Sequence, residues 1–223
     1  MDSLDQVRRE VIVCRRCPRL VAWREEVARV KRAAFKDWKY WGRPVPGFGD
    51  PQAELLVLGL APAAHGGNRT GRVFTGDRSG DWLYRALYDA GYASQPTSLH
   101  RDDGLRLMGA YVTAAVKCAP PQNRPAREEM HNCLPYLERE LRLLADVRVV
   151  VPLGSFAYNA ITELVGVRPR PPFGHGVEVS LPEGRAVLCS YHPSQQNTFT
   201  GKLTEAMFRA IFQRARELSR LTS

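Results

Sequence analysis

Four cysteines are spaced so that their thiolates could share one metal centre. Cys14 and Cys17 form the motif CRRCP, and a spacing of two residues lets both bind the same centre. Cys118 and Cys133 stand alone, and they could join the pair if the N-terminal segment folds back. Zinc and iron–sulfur clusters both accept four cysteines, although one close pair with two distant single cysteines favours a cluster. Alternatively, Cys133 is a small core residue, which is also what we expect of Cys189.

A glycine-rich stretch, GLAPAAHGGNRTGRVFTGD at residues 59–77, is a second candidate for chemistry. It follows an apolar run and precedes a helical pattern, as a phosphate-binding loop does. It has neither a Gly-Lys-Ser/Thr ending nor a G-x-G-x-x-G motif, so nucleotide binding has no specific support. Such small residues can instead line a tight pocket with backbone N–H and C=O groups, which suits a flat heterocycle. Its one carboxylate, Asp77, could act in catalysis or simply cap the next helix.

Two further loops carry polar side chains that could serve the same pocket. SYHPSQQNT, at residues 190–198, contains His192 and Asn197, and KCAPPQNRP, at residues 117–125, contains Asn123 after two prolines. A histidine before a proline is often structural, but it becomes a catalytic candidate when it follows a strand beside other polar loops.

The elements that would position these loops are apolar runs alternating with helical patterns, which predicts an α/β fold with a mostly parallel sheet. The apolar runs are residues 53–60, 107–118, 147–154 and 185–191. The helical patterns are residues 79–91, 124–144, 155–165 and 204–221, together with an N-terminal helix. Each strand leads into small, polar or proline residues, and open parallel sheets bind ligands at the carboxyl ends of their strands.

Charge points to a polyanionic partner. The 223 residues carry a net charge of +9 with a pI near 9.6. Residues 29–43 (RVKRAAFKDWKYWGR), named here the basic aromatic arm, hold six basic residues and four aromatic rings, which suits phosphate binding and base stacking. Trp38 and Trp41 could instead anchor this segment to the core. The sequence has no run typical of a membrane span or signal peptide, so we expect a cytoplasmic protein.

The three loops, preceded by CRRCPRLVAWRE, resemble the family 5, or B-type, iron–sulfur members of the uracil-DNA glycosylase superfamily. The similarity runs from about Cys14 to beyond Thr204, with four separate motifs in the right order. It implies a three-layer α/β/α sandwich around a four-stranded parallel sheet. Residues 1–223 would form one domain and act as a monomer on DNA containing uracil or another deaminated base. The N-terminal arm, residues 1–52, would contribute cluster ligands.

The resemblance also implies roles for individual residues. Cys14, Cys17, Cys118 and Cys133 would hold a structural 4Fe-4S cluster, and Asp77 resembles the family position proposed to act on water. Leu60 replaces the acidic residue that related family 4 enzymes carry early in the first motif. Ala114 and Ala115 occupy the place where many relatives have an asparagine, which leaves room for hypoxanthine or xanthine.

The expected reaction is hydrolysis of an N-glycosidic bond after the base is flipped out of the helix, the first step of base excision repair. The predicted catalytic residues are Asp77, His192 and Asn123. The predicted base pocket consists of Gly59, Ala61, Ala63, Phe74, Asn123, His192 and Asn197. The predicted DNA-contacting residues are Arg69, Lys117, Gln195, Gln196, Phe199 and Lys202, with Phe199 or Gln196 as the wedge. A Schiff base through Lys117 is a rival mechanism that the monofunctional family pattern disfavours.

Two other protein classes fit part of the sequence. A non-catalytic nucleic-acid binding protein with a four-cysteine zinc site would use the basic aromatic arm equally well, but it leaves the three loops unexplained. An iron–sulfur redox protein would give no reason for grouping Asp77, Asn123 and His192.

Overall fold

A six-stranded mixed sheet forms the centre of the residues described by the computed structural model, 2–181 and 184–221. The strand order is β1-β3-β2-β4-β6-β5, and the four inner strands are parallel to one another. The inner strands are β2 (Leu55–Gly59), β3 (Ala110–Ala114), β4 (Val149–Pro152) and β6 (Ala186–Leu188). Two short antiparallel strands flank them, namely β1 (Phe48–Gly49) and β5 (Glu178–Ser180).

The α/β class is confirmed, and the four predicted parallel strands are present. The prediction of a four-stranded sheet is corrected by the two edge strands, each only two or three residues long. Every residue of β2, β3 and β4 is buried, as is typical of parallel strands covered on both faces. This double burial is why the inner strands are near-continuous apolar runs in the sequence.

The described residues also form eight α-helices: α1 (Leu4–Val13), α2 (Pro18–Val30), α3 (Gly67–Thr70), α4 (Arg78–Asp89), α5 (Arg127–Leu143), α6 (Ser155–Leu164), α7 (Gln195–Phe199) and α8 (Glu205–Leu221). The predicted helices after the inner strands are confirmed as α4, α5, α6 and α8. The single predicted N-terminal helix is instead a pair, α1 and α2, separated by the CRRC motif. Pro18 occupies the first turn of α2, where its missing N–H has no consequence.

Two apolar layers cover the sheet. Leu55 and Val57 face the cluster formed with α4 and α8, whereas Leu56 and Leu58 face the cluster formed with α2, α5 and α6. The alternation of side chains along β2 therefore feeds both cores, and burying each such residue contributes about 1.5–3 kcal/mol. The three layers predicted by the resemblance are present.

The N-terminal arm folds back onto α5. Val7 and Val11 of α1 pack against Tyr136, and Arg139 forms ion pairs with Asp2 and Glu10. These contacts bring the turn between α1 and α2, with its two cysteines, beside the end of β3.

The single-domain prediction for residues 1–223 remains a prediction, and Met1, 182–183 and 222–223 lie outside the described residues. In the described part of the chain, each helix is too short or too polar to cross a membrane.

Candidate active site and cysteine cage

The glycine-rich loop after β2 and the loop after β6 meet at the carboxyl edge of the sheet. The Phe74 and His192 rings lie with their centroids 5.9 Å apart and their planes tilted by 33°. Ser79, in the first turn of α4, donates a hydrogen bond from Oγ to the Pro193 carbonyl at 3.0 Å. Two of the three predicted loops are therefore in direct contact.

Glycine is required at two places because a Cβ atom would collide with the site. At Gly59 it would lie 2.6 Å from the Phe74 ring, and at Gly66 it would overlap with Oδ2 of Asp77. Gly59 is buried under the Phe74 ring, whereas Ala61 and Ala63 are partly exposed. The loop therefore packs closely against the Phe74 ring and the Asp77 carboxylate.

Asp77 has a structural role at the start of α4. Its Oδ1 accepts a hydrogen bond from the Gly80 N–H at 3.0 Å, which makes Asp77 the N-cap of this helix. The capping alternative raised by the sequence is thus observed. It does not exclude catalysis, because the cap uses one carboxylate oxygen and the other lies against Gly66.

Burial raises the pKa of Asp77 above its ordinary value. The Gly80 and Ser79 N–H groups and the charge of Arg69 act in the opposite direction, while Asp81 raises the pKa further. A carboxylate that is poorly solvated in this way is a stronger base than a surface aspartate.

His192 is neutral at physiological pH, because burial lowers its pKa to about 4. A neutral imidazole can donate one hydrogen bond without adding a positive charge to the site. The side chain of Asn197 donates to the His192 carbonyl at 2.8 Å, and its N–H is 3.4 Å from Ser194 Oγ. The amide of Asn197 therefore holds the histidine loop in place, and its predicted role in base binding remains a prediction.

Asn123 lies in the loop after β3, at the same edge of the sheet. It is exposed and has a φ of +55°, next to Gln122 at +54°, and Phe74 in the glycine-rich loop has a φ of +50°. Among the described residues, Lys31 is the only other non-glycine residue in this strained region, and such strain tends to gather at functional sites. Among the described contacts, none joins Asn123 to Asp77 or His192, so its role remains a prediction.

Two of the predicted DNA-contacting residues, Lys117 and Arg69, have buried side chains, which argues against their contact with DNA. Lys117 is only 2% exposed, and its Nζ donates to Glu140 at 2.7 Å and to Thr113 at 2.6 Å. Arg69 is 4% exposed and donates to backbone carbonyls of its own loop. A paired, buried Lys117 also cannot attack a sugar, which argues against the Schiff-base mechanism.

The remaining predicted DNA contacts lie on the surface around α7. Phe199 is 67% exposed, and the Arg78 guanidinium lies 4.5 Å above its ring. Gln195, Gln196 and Lys202 are also exposed. An exposed ring beside a cation suits a wedge that enters a base stack.

The four predicted cysteine ligands line one small cavity of about 10 Å³, and we name this site the cysteine cage. Its lining includes Cys14, Cys17, Cys118 and Cys133, and none of the four forms a disulfide. Cys189 is buried in the core near β6, as expected.

Two side chains donate hydrogen bonds to sulfur atoms of the cysteine cage. Arg24 Nη1 donates to Cys118 Sγ at 2.9 Å, and Asn132 Nδ2 donates to Cys17 Sγ at 3.5 Å. Arg24 Nε is one of two buried side-chain polar atoms in the described residues that lack a hydrogen-bond partner. No group of three His, Cys, Asp or Glu side chains in the described chain could hold a single metal ion. Four cysteine thiols with nitrogen donors beside them are a donor set that accepts either an iron–sulfur cluster or a zinc ion.

Sequence reasoning missed Arg24 and Asn132, and only the first had a detectable signal. Arg24 follows Cys17, the N-cap of α2, by seven residues, which is about two helical turns and directs its side chain to the side of the helix nearest the cysteine. Asn132 precedes Cys133, but nothing in the sequence shows that its side chain reaches Cys17.

A covered parallel sheet with polar loops at its carboxyl edge is the architecture of α/β proteins, which typically bind ligands at that edge. The chain matches the family model of the uracil DNA glycosylase superfamily over residues 46–216. The chain belongs to this superfamily.

Type-5 relatives cover almost the whole chain. The type-5 uracil-DNA glycosylase of Thermus thermophilus is 56% identical over 93% of this chain and 94% of its own length. That of Mycobacterium leprae is 54% identical over 97% and 96%. The type-4 uracil-DNA glycosylase of Sulfurisphaera tokodaii is 30% identical over 74% and 61%. The resemblance to type-5 rather than type-4 proteins is confirmed.

Proposed function

We propose that this protein is a monofunctional uracil-DNA glycosylase that initiates base excision repair. The observation that carries the proposal is the junction of the two loops. It places a poorly solvated carboxylate, Asp77, and a neutral imidazole, His192, on the two loops that meet at the Phe74 ring. The type-5 relatives support uracil as the base.

A base buried in a duplex has to be flipped into the pocket, at a cost of a few kcal/mol that damage to the base pair lowers. Phe74 offers its ring as a stacking surface at the back of the pocket. The exposed Phe199 or Gln196 would fill the gap in the duplex, and Arg78 supports the Phe199 ring.

Breaking the bond between C1′ and the base leaves positive charge on the sugar, and the electron pair departs with the base. Asp77, ionised, stabilises the sugar cation and takes a proton from the water that attacks C1′. His192 donates its hydrogen bond to the oxygen of the departing base, where negative charge develops. The hydrogen bond from this neutral imidazole stabilises the negative charge that develops on the departing base.

Hypoxanthine and xanthine are further proposed substrates. Ala114 and Ala115 are small, and no polar side chain at these positions selects a pyrimidine. Asn123, with its strained backbone, is the proposed reader of the base edge.

We also propose that the cysteine cage holds a 4Fe-4S cluster through Cys14, Cys17, Cys118 and Cys133. Such a cluster would supply covalent links between the N-terminal arm and the sheet. The donors around the sulfurs, Arg24 and Asn132, are those expected to stabilise a negatively charged cluster. The predicted monomeric state and cytoplasmic location remain predictions.

Visible absorbance with iron and sulfide analysis tests the cage. We expect a brown protein with about four iron atoms per chain, as a 4Fe-4S cluster requires. Cys133→Ser should lose colour and iron, whereas the matched control Cys189→Ser, also buried but outside the cage, should keep both. A colourless protein with one zinc per chain would contradict the proposal and favour the zinc alternative.

Duplex oligonucleotides bearing one uracil, hypoxanthine or xanthine test the activity. We expect cleavage only after hot alkali, and no adduct on borohydride treatment, since Lys117 is buried. DNA binding without alkali-labile sites on every substrate would support the non-catalytic alternative.

A further inference from the structure

The basic aromatic arm packs against the glycine-rich loop. Backbone N–H groups of Trp41 and Gly42 donate to the carbonyls of Arg69 and Asn68, at 2.9 and 3.0 Å. The Arg69 guanidinium lies 3.9 Å from the Phe35 ring centre and 4.1 Å from that of Trp38. The two ring planes are 79° apart, so the cation occupies a corner between them. These rings are therefore engaged with a cation of the same chain.

The hydrogen bonds of Arg69 go to two places that determine where Asp77 lies. Its Nε donates to the His65 carbonyl at 2.7 Å, and its Nη2 donates to the Gly76 carbonyl at 2.8 Å. His65 precedes Gly66, which touches Asp77 Oδ2, and Gly76 precedes Asp77 itself. One guanidinium thus ties together the two backbone segments that hold the carboxylate.

The backbone conformation and the lack of a side chain at Gly76 both allow this contact. Gly76 has a φ of +74°, and a Cβ there would lie 2.5 Å from Arg69 Nη2. The geometry excludes any larger residue while Arg69 remains in place.

We propose that Arg69, held by Phe35 and Trp38, is the positioning residue for Asp77, so that this part of the arm serves the active-site loop and not DNA. The inference rests on the proposed function, because it concerns the same carboxylate. The planar fork of arginine suits the role, since it reaches two carbonyls at once.

Charge supports the same assignment. Burial raises the pKa of Asp77 and Asp81 raises it further, whereas the cation of Arg69 lowers it together with the Gly80 and Ser79 N–H groups. The Tyr84 phenol also lies within electrostatic range of Asp77. Arg69 is the cation among these groups. Its removal should therefore raise the pKa of Asp77 and move the acid limb of the pH–rate profile to higher pH.

Arg69→Met, Arg69→Lys and Trp38→Leu test the proposal in the full-length protein. The measurements are single-turnover rates at saturating uracil duplex, DNA affinity by fluorescence anisotropy, and pH–rate profiles. We expect Arg69→Met to lose about tenfold to a hundredfold in rate with unchanged affinity, because a small displacement of a reacting group has that effect. Its acid limb should move to higher pH. Arg69→Lys keeps the charge and should move the limb less.

Arg216→Met is the matched control. Arg216 also contacts a ring, that of Tyr92 at 5.2 Å, and a backbone carbonyl, that of Ala90, but far from the candidate site. It should leave the rate and the pH profile unchanged. If Arg69→Met does not fold, Trp38→Leu, which removes only one ring, carries the test, with a smaller loss of rate at unchanged affinity.

Weakened DNA affinity with an unaltered rate at saturation, in either variant, would overturn the positioning role and return the arm to DNA binding. An unchanged rate, affinity and pH profile would overturn it too. If the unmodified protein releases no base from any substrate, the proposed function itself fails, and the two failures are therefore distinguishable.

Discussion

Asp77 caps α4 and has a proposed role in catalysis, and one substitution can separate the two. Asn caps helices about as well as Asp, so Asp77→Asn should keep the hydrogen bond to the Gly80 N–H and the start of α4. The substitution removes the charge, which is what the chemistry requires. It therefore tests catalysis with the cap retained.

The expected magnitudes follow from the site. Burial penalises the ionised carboxylate of Asp77, as its raised pKa shows, so a neutral amide should not lower the free energy of unfolding. Loss of a general base typically costs about 10²–10⁴ in rate. Asp77→Ala, in contrast, also removes the cap, at about 1 kcal/mol, which lowers Tm by about 2–4 °C in a chain of this size.

Single-turnover release of uracil, together with thermal unfolding, measures both effects. We expect Asp77→Asn to be stable and nearly inactive, and Asp77→Ala to be inactive and less stable. Asp81→Asn, which removes an exposed carboxylate from the same helix, should remain active. If Asp77→Asn kept the full rate, Asp77 would only be a helix cap and the catalytic argument would be refuted.

Three further predictions concern other parts of the site. Gly66→Ala should reduce the single-turnover rate with DNA affinity kept, because the new methyl group displaces the neighbouring carboxylate; an unchanged rate would contradict the geometry. Lys117→Met should lower the free energy of unfolding, measured in urea, by about 3–5 kcal/mol, because it leaves Glu140 buried and unpaired. Replacing both Lys117 and Glu140 by apolar residues should recover most of the lost stability. His192 has a pKa of about 4 in the folded chain, against an ordinary value of 6.5. Between these two pH values the unfolded chain binds more protons than the folded chain, so the free energy of unfolding falls as the pH drops from 6.5 to 4. His192→Asn should flatten this dependence in unfolding measurements between pH 4 and 7, and an unaltered slope would show that His192 is not the cause.

The inner strands could be predicted because parallel strands buried on both faces leave apolar runs in the sequence. The edge strands β1 and β5 could not, since two or three partly exposed residues are too few to show a periodic pattern. The division of the N-terminal segment into α1 and α2 was missed, although Pro18 after the CRRC motif is a typical start signal for a second helix.

The site could be predicted as far as its loops, but not the partners of its charged residues. Asp77 and His192 follow strands among small and polar residues, which marks them as pocket candidates. Arg69 and Lys117 are both basic residues in or beside a loop, which is the pattern expected of a residue that binds DNA. Their burial depends on Phe35, Trp38 and Glu140, which are distant in the sequence, so only the folded chain shows that both side chains are buried and paired.

The central claim is that this protein hydrolyses the bond between uracil and its sugar in DNA. The most direct measurement is to incubate the purified protein with a duplex containing one uracil, and to quantify both free uracil and alkali-labile sites. The account predicts that the two products appear in equal amounts, with an intact strand before alkali. Binding of the duplex without release of uracil would contradict it.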